Sequence, residues 1–361
     1  MFGLALQRRE RPLRGGQIRS VTTGVLIALV AGAVLLIISG NDPVEVYSKM
    51  ADAAFGSQRA WSNTLTRAVP LGLAGLAVAV AGSMGLWNIG AEGQIIAGAI
   101  GGAWVARVLP DAEGFILIPL MLIGAVLGGG LLALLPAVAR ARLGVNEIIT
   151  TLMLNEIIIR VVRYLVNGPW KDPDSAGFPQ APSLPPQAAL PSLFGRANIG
   201  VLIAAAVLAA FGVYAARSKW GYELRLAGSS ERTAEYAGIS LRTKILTVLT
   251  LSGAIAGLAG GIELTGSSSR LVEGVANGWG FAGIIVAALA LMRPSGVALV
   301  AVFFGAVQVG GLAIQVSGVP ASIANIIQAL ILFGALGAGV FGQYRLVRTR
   351  VPARVTRAVP S

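Results

Sequence analysis

Ten runs of mainly apolar residues dominate the chain, and most are about as long as a helix needs to cross a membrane. A hydrocarbon core of ~30 Å takes about 20 helical residues. Charged residues make up only 12% of the 361 residues, whereas soluble proteins have about 25%. The sequence therefore predicts an all-α fold, a polytopic transmembrane helical bundle of about ten spans. The predicted spans are Ser20–Gly40, Leu65–Ser83, Ile89–Leu109, Phe115–Ala139, Val145–Val166, Asn198–Ala216, Ile245–Leu264, Trp279–Met292, Ser295–Val316 and Ala321–Phe341.

Cysteine and histidine are absent from the sequence, and lysine is rare. The first two absences exclude disulfides, thiolate nucleophiles and zinc sites built from His and Cys. A Walker A phosphate-binding loop needs a lysine directly after a glycine, and no lysine here follows one. We therefore expect no catalytic residue, no metal and no cofactor bound by this chain. ATP and Mg²⁺ would be held by a partner subunit.

Basic residues are distributed unevenly between the two sides of the predicted bundle. With the N-terminus inside, nineteen lysines and arginines fall in inner segments and five in outer ones. Membrane proteins carry such an excess on the cytoplasmic side, so both termini are predicted to be cytoplasmic. The net charge of +12 is then an orientation signal. We expect a protein of the lipid bilayer that does not bind nucleic acid.

The predicted organisation is one membrane domain between two basic tails. The tails are residues 1–19 and 342–361, and the transmembrane domain is residues 20–341. Within it, an outer loop at residues 167–197 holds seven of the 17 prolines and suits an extended lid or a docking surface. The largest cytoplasmic loop is at residues 217–244.

Two of the predicted spans are poor simple helices. Ile89–Leu109 begins within a polar, Gly-broken sequence, and Trp279–Met292 has only fourteen residues. Irregular backbone at membrane depth is tolerated where it lines a cavity or is buried in protein. Short or interrupted segments in both halves of a transporter point to a central site. The prediction therefore includes possible re-entrant or broken helices.

Glycines four residues apart recur in the predicted spans, as in Gly98/Gly102, Gly253/Gly257 and Gly257/Gly261. Such pairs allow helix backbones to approach closely in lipid, where burial from water supplies no attraction between helices. We interpret them as packing positions.

Glu92 is an intramembrane carboxylate with no basic residue three or four positions away. A carboxylate at this depth requires a partner or a wet cavity. Asn88 and Gln94 share its Gly-broken segment. One hypothesis is that these three side chains line a transport pathway and bind the polar edges of a substrate, with Trp87 offering a flat face. The alternative is that they cap the broken helix.

Glu156 has a potential partner in its own predicted helix. Arg160 follows it by four residues, in the order of charges that stabilises a helix. We predict that Glu156 and Arg160 form a structural ion pair.

The loop at residues 217–244 contains signals for a short helix. Ser230 can cap a helix N-terminus, Glu231 suits the first turn, and Gly238 suits the left-handed stop position. These residues predict a helix of about two turns at Glu231–Ala237. Such a helix could rest in a groove of a soluble motor protein, or it could lie on the lipid headgroups.

Several segments resemble permeases of ABC transporters. GYELRLAGSSERTAEYAGI (221–239) and SGAIAGLAGGIE (252–263) are similar to the coupling loop and next helix of the ribose, nucleoside and branched-chain amino acid permease superfamily. MGLWNIGAEGQ (84–94), GVNEIITTLMLNE (144–156), GPWKDP (168–173) and FPQ (178–180) resemble, more narrowly, the longer permease subunit of bacterial nucleoside importers. The resemblance covers residues 60 to 340, approximately.

The resemblance implies a function, a location and partners. The chain would be the transmembrane permease subunit of an ABC importer in the bacterial cytoplasmic membrane, translocating nucleosides delivered by an extracytoplasmic substrate-binding lipoprotein. An ABC ATP-binding subunit would drive it, and a second permease subunit would complete a heterodimer, or a second copy a homodimer. Asn155 joins the predicted pathway residues. The residues implied in coupling to the ATPase are Arg225, Gly228, Glu231, Glu235, Tyr236, Ala237 and Gly238.

Three alternatives remain open from the sequence. A simple-sugar importer of the same superfamily would use the same architecture. An ion-coupled secondary transporter could use Glu92 and Glu156 as proton or sodium ligands, although it has no evident use for the loop at 217–244. A membrane-embedded enzyme lacks the expected cluster of catalytic carboxylates, His or Cys.

Overall fold

The computed structural model describes residues 2–8, 16–316 and 318–350 of the chain, and helices predominate in them. One 3-10 turn (Pro186–Ala188) and one π-helical turn (Leu264–Ser268) interrupt the α-helical pattern. The α-helices are α1 (Gly16–Ile38), α2 (Pro43–Phe55), α3 (Gln58–Gly82), α4 (Ala91–Val108), α5 (Gly114–Leu143), α6 (Glu147–Asn167), α7 (Gly200–Arg217), α8 (Lys219–Ser229), α9 (Glu231–Tyr236), α10 (Leu241–Glu263), α11 (Trp279–Leu289), α12 (Pro294–Val316) and α13 (Ala321–Gln343).

Two short antiparallel strand pairs accompany the helices of the predicted all-α fold. β1 (Phe2–Arg8) pairs with β4 (Tyr344–Arg350), and β2 (Ser192–Phe194) pairs with β3 (Ala197–Asn198). The first pair uses parts of both predicted basic tails, where β4 contains the strand-forming residue types Tyr, Val and Thr. The remaining tail residues, 9–15 and 351–361, lie outside the described residues.

The chain divides into two compact units. One contains residues up to Val44 and from Val319 onward, and in it α1 packs along α13. Gly334 of α13 lies against the backbone of Gly24 in α1, a close approach typical of membrane helices. The other unit, Glu45–Gly318, contains all the residues discussed below.

Five helices of the described chain are long and apolar enough to cross a membrane, judged by length and composition. They are α3, α5, α7, α10 with its π-helical turn, and α12. Shorter apolar helices are α11 and parts of α1 and α13. These helices support the prediction of a helical, multi-pass membrane protein.

Helix α10 lies at the centre of the larger unit, with α3, α4 and α5 packed against it. Gly98 of α4 lies against the backbone of Gly257, and Gly129 of α5 lies against that of Gly253. A side chain at any of these positions would collide with a neighbouring backbone. The predicted packing role of the glycine pairs therefore holds where α4 and α5 cross α10.

Both segments that the sequence marks as interrupted are irregular. The connection between α3 and α4 contains a left-handed residue, Gly85, and α4 begins only at Ala91. Helix α11 has eleven residues, enough for about half of a hydrocarbon core. Left-handed backbone at Gly278 precedes it, and Leu291 and Met292 are left-handed after it.

Two helices were not predicted, because both lie in segments that the charge pattern assigns to loops. Helix α2 begins after Asp42, whose carboxylate accepts a hydrogen bond from the Val44 N–H (2.8 Å). Its apolar side chains Val46 and Met50 are buried. Helix α8 precedes the predicted short helix in the loop at 217–244. Short amphipathic helices such as these contain too many charged residues to be recognised in the sequence as membrane spans.

Candidate functional site

The predicted pathway residue Asn88 is buried in the connection between α3 and α4. Its amide nitrogen donates to Gln94 Oε1 and to the Ser252 hydroxyl of α10, both at 2.7 Å. Its oxygen accepts from the Gly90 N–H and the Gln94 amide. Ser252 in turn donates to the Ala77 carbonyl of α3 (2.5 Å). This network joins the start of α4 to α10 and α3.

Asn155 of α6 is buried and forms hydrogen bonds to the backbone at the start of α4. Its Oδ1 accepts from the Gly93 N–H and its Nδ2 donates to the Ile89 carbonyl, both at 2.8 Å. Gly93 lies in the first turn of α4, where backbone N–H groups have no partner within the helix. Asn155 is therefore a cap for α4 supplied by a different helix.

Glu92, near the start of α4, is 6% exposed and caps α11. Its carboxylate oxygens accept from the N–H groups of Gly278 (2.8 Å) and Gly280 (2.7 Å). Helix α11 has no side-chain cap from the residue preceding it, and a carboxylate at a helix N-terminus also complements the helix dipole. These bonds favour the capping alternative, although the helix capped is α11. A pathway role for Asn88, Glu92, Gln94 and Asn155 stays a prediction.

Trp87 is joined to the bundle through its backbone. Its N–H donates to Glu147 Oε1 at 3.3 Å, and Glu147 Oε2 lies 3.4 Å from Arg140 Nε. The Trp87 side chain itself is 41% exposed. Its ring therefore lies at the surface of the unit and not within the buried network of Asn88.

The predicted ion pair between Glu156 and Arg160 is not formed among the described residues. Both side chains are exposed on the surface of the unit. In the second half of α6, Arg163 instead pairs with Glu273, with the Arg163 Nε donating at 2.8 Å. Glu273 lies in the loop before α11, so helical spacing could not predict it as the partner of Arg163.

The loop at residues 217–244 forms the coupling hairpin, defined here as α8, Ser230 and α9. The Ser230 hydroxyl accepts from the Thr233 N–H at 3.2 Å, and Gly238 has the left-handed φ of +75°. Both predicted helix signals are therefore present. Helix α9 ends at Tyr236, one residue before the predicted end.

The far side of the coupling hairpin is exposed. Ala234 is fully buried and attaches α9 to the unit, whereas the Tyr236 side chain is 92% exposed. The Tyr236 ring is therefore available for contact with a partner protein. The exposed residues predicted to couple to an ATPase are Glu231, Glu235, Tyr236, Ala237 and Gly238.

The near side of the coupling hairpin is attached to the bundle. An added Cβ at Gly228 would lie 2.6 Å from the Ser83 carbonyl oxygen at the end of α3. Arg225 Nη1 donates to the Ala215 carbonyl of α7 at 2.7 Å. The two remaining coupling residues therefore join the hairpin to α3 and α7.

An ion pair fastens α8 to the first turn of α10. Lys244 Nζ lies 2.5 Å from Glu223 Oε2, and both side chains are less than one-fifth exposed. The Lys244 ammonium lowers the pKa of Glu223 below its usual range. Because the pKa is lowered in the folded state, the pair stabilises the hairpin at neutral pH. This contribution is lost as the pH falls through the lowered pKa.

Charge reversal at this pair should loosen the coupling hairpin. Glu223→Lys places two ammonium groups side by side, so we expect faster trypsin cleavage after Arg225 and Arg232 in the purified protein. The exchange Glu223→Lys/Lys244→Glu should restore the wild-type rate. Lys219→Ala is the control, because Lys219 is 89% exposed and lies 3.8 Å from Glu223, where a pair contributes little. Equal cleavage of all variants would contradict the anchoring role.

A polar cavity of about 970 Å³ opens at the end of the unit opposite the coupling hairpin. Helix α3 runs from this cavity, at Arg59 and Asn63, to the hairpin, where Ser83 meets Gly228. The loop that precedes α7 closes one side. The lining residues are Asp52, Ala53, Ser57, Arg59, Ala60, Asn63, Thr66, Arg67, Leu190, Ser192, Gly195, Arg196, Asn198, Glu263, Gly266, Ser267, Trp279, Val309, Leu312, Ala313 and Val316.

Three residues make the cavity a candidate binding site. The Arg67 guanidinium lies over the Trp279 ring, 5.5 Å from its centroid, a distance at which cation and ring attract. Glu263, the last residue of α10, lines the same cavity. In the described residues no group of acidic side chains is arranged to hold a metal. The cavity therefore offers hydrogen-bonding and aromatic groups for an organic ligand.

Sequence reasoning did not select these cavity residues. Arg67 lies two residues into the predicted span Leu65–Ser83, and Trp279 opens the short span Trp279–Met292. A charged residue inside a span and an aromatic residue at a helix break were available signals. Their joint meaning depends on the packing of α3 beside α11.

Comparisons with known proteins identify the family of the chain. The family of branched-chain amino acid transport system permease components matches residues 60–336. The chain is 39% identical to the glucose ABC transporter permease protein TsgB13 of Haloferax volcanii (89% of this chain, 88% of that protein). It is 35% identical to the guanosine ABC transporter permease protein NupP of Bacillus subtilis (85% and 90%). It is 31% identical to the nucleoside ABC transporter permease protein NupB of Lactococcus lactis (86% and 90%). The chain therefore belongs to this family of ABC-importer permeases and is a multi-pass protein of the cytoplasmic membrane.

Proposed function

We propose that the chain is the transmembrane permease subunit of an ABC importer that translocates nucleosides. The observation that carries the proposal is the coupling hairpin, which is fastened to α3, α7 and α10 and exposes Tyr236 on its far side. A permease that works without an ATPase has no evident use for this attached and exposed hairpin. The guanosine and nucleoside permeases among its relatives support the substrate class.

The proposed topology has about ten spans, with both termini and the coupling hairpin in the cytoplasm. The distribution of basic residues supports this orientation. The polar cavity then faces outward, toward the source of substrate. The loop at residues 167–197 lies on the same side and would receive a substrate-binding lipoprotein.

The proposed mechanism is alternating access. The binding protein docks on the outer loops and releases the nucleoside into the polar cavity. ATP binding by a separate ATPase subunit moves α9, and α8 transmits the displacement to the end of α3 through the contact between Gly228 and Ser83. ATP and Mg²⁺ stay on the ATPase. A second permease, as a paralogous subunit or a second copy, completes the pathway.

A simple sugar is the second candidate substrate. The glucose permease of Haloferax volcanii shares 39% identity with this chain over most of both proteins. ATP-driven uptake of labelled guanosine and labelled glucose into the same proteoliposomes would separate the two candidates. Membership of a family of ABC permeases argues against the ion-coupled alternative.

Replacing Tyr236 by aspartate should abolish ATP-driven uptake by the complete transporter. The side chain is 92% exposed, so the variant should fold and reach the membrane in normal amounts. A charge at the centre of the docking face should prevent the ATPase from binding. Tyr222→Asp is the control, because Tyr222 is also exposed (60%) but lies on α8. Wild-type uptake by Tyr236→Asp would refute the docking role of the hairpin.

A further inference from the structure

Two buried polar atoms at the cavity wall have no hydrogen-bond partner among the described residues. They are the Trp279 indole nitrogen, a donor, and Asn63 Oδ1, an acceptor. Trp279 is 1% exposed, and both residues line the polar cavity. An unsatisfied buried polar group costs about 1–3 kcal/mol, and each such group in a native protein requires an explanation.

The charged groups of the same wall are also incompletely paired. Arg67 and Glu263 both line the cavity, yet no ion pair within 4.0 Å joins them among the described residues. The Trp279 ring holds the guanidinium in place. One wall therefore carries a cation, a carboxylate, and a buried N–H donor and a buried carbonyl acceptor that have no partner among the described residues.

We propose that this wall is the site where the permease accepts its solute, and that it binds a neutral molecule carrying a vicinal diol. This inference rests on the proposed function and names the residues that perform it. The indole N–H of Trp279 and Oδ1 of Asn63 bind the polar edge of the ligand. The Glu263 carboxylate accepts from the two hydroxyls of the diol, with Arg67 beside it.

The charges of the wall select a neutral ligand. Arg67 and Glu263 have opposite charges, so together they give this wall no net attraction for an anion or for a cation. A volume of about 970 Å³ lies within the range of small-molecule pockets. A diol is the feature that the ribose of a nucleoside shares with a hexose, so the site accounts for guanosine and glucose permeases within one family.

Trp279→Phe tests the donor, because it keeps the aromatic face for Arg67 and removes the N–H. In the complete transporter, reconstituted with its ATPase and binding protein, KM for guanosine or glucose should rise about three- to tenfold, the loss expected for one hydrogen bond. The maximal rate should be unchanged. Trp104→Phe is the matched control, because Trp104 is 56% exposed and does not line the cavity. An unchanged KM in Trp279→Phe would overturn the assignment.

Glu263→Gln tests the diol. Wild-type transporter should favour guanosine over 2′,3′-dideoxyguanosine, and the variant should lose about tenfold of this preference. The binding protein is the same in both preparations, so a change in the ratio belongs to the permease. An unchanged ratio would refute the role of Glu263.

The failure of the proposed function gives a different result. A wild type that imports neither guanosine nor glucose with ATP would refute the importer assignment. The cavity assignment would then be decided by binding. It requires that millimolar guanosine or glucose raise the melting temperature of the purified wild type, and raise that of Trp279→Phe by less. Equal shifts, or none, would refute it.

Discussion

Replacing Gly260 by valine should prevent the chain from accumulating as a folded membrane protein. An added Cβ at this position of α10 would overlap the Ile95 carbonyl oxygen of α4 and lie 2.9 Å from the Ala99 nitrogen. Backbone atoms cannot rotate away as a side chain can, so the two helices must separate. Overpacking usually costs about 1–3 kcal/mol, and sometimes more. A collision with two backbone atoms at a central crossing belongs at the upper end of that range.

The measurement is the amount of chain in the membrane fraction, followed by thermal unfolding of the protein extracted in mild detergent. Gly260→Ala should fold with a lowered melting temperature, and Gly260→Val should be degraded. Gly274→Val is the matched control, because an added Cβ at Gly274 has no neighbour within 4 Å. Wild-type levels and melting temperature in Gly260→Val would show that α4 and α10 do not cross as described.

The sequence predicts features that depend on a few neighbouring residues. Ser230 and Gly238 mark the limits of α9 to within one residue, because helix caps are local structures. The fourteen-residue span at Trp279–Met292 is a short helix, α11, since its apolar run is too short for a full crossing. The glycine pairs predict close packing because the chemistry of a missing side chain needs no knowledge of the partner.

The sequence does not predict which distant groups meet. Glu92 is 186 residues from Gly278, and Asn155 is 62 residues from Gly93. The spacing of Glu156 and Arg160 suggests an ion pair, yet their helix turns both side chains to the surface. The spacing of residues along one helix indicates which contacts are possible, and the packing of the helices determines which of them form.

Helix α11 connects the buried polar network to the cavity. Its first residue, Trp279, lines the cavity wall, and the Arg67 guanidinium lies over the ring of Trp279. The N–H groups on either side of that residue, from Gly278 and Gly280, are held by Glu92. Glu92 therefore fixes the position of the Trp279 side chain without lining the described cavity. In this geometry Glu92 caps α11, and its pathway role stays a prediction.

Replacing Glu92 by alanine should lower the stability of the protein and its transport activity together. Two buried N–H groups at the start of α11 would lose their acceptors, at a cost of about 1–3 kcal/mol each. Glu92→Gln keeps one carbonyl oxygen and should have an intermediate melting temperature. The measurements are the melting temperature of the purified chain and the KM and maximal rate of ATP-driven uptake.

The control for Glu92 is a second glutamate at a helix start. Glu113 precedes α5, is exposed and makes no capping hydrogen bond, so Glu113→Ala should behave as wild type. The two roles considered for Glu92 differ in their results. If Glu92 caps α11, Glu92→Ala should lower the melting temperature of the protein and raise KM, because the displaced helix moves Trp279. If Glu92 only contacts the solute, Glu92→Ala should raise KM and leave the melting temperature unchanged. That result would support a pathway role for Glu92.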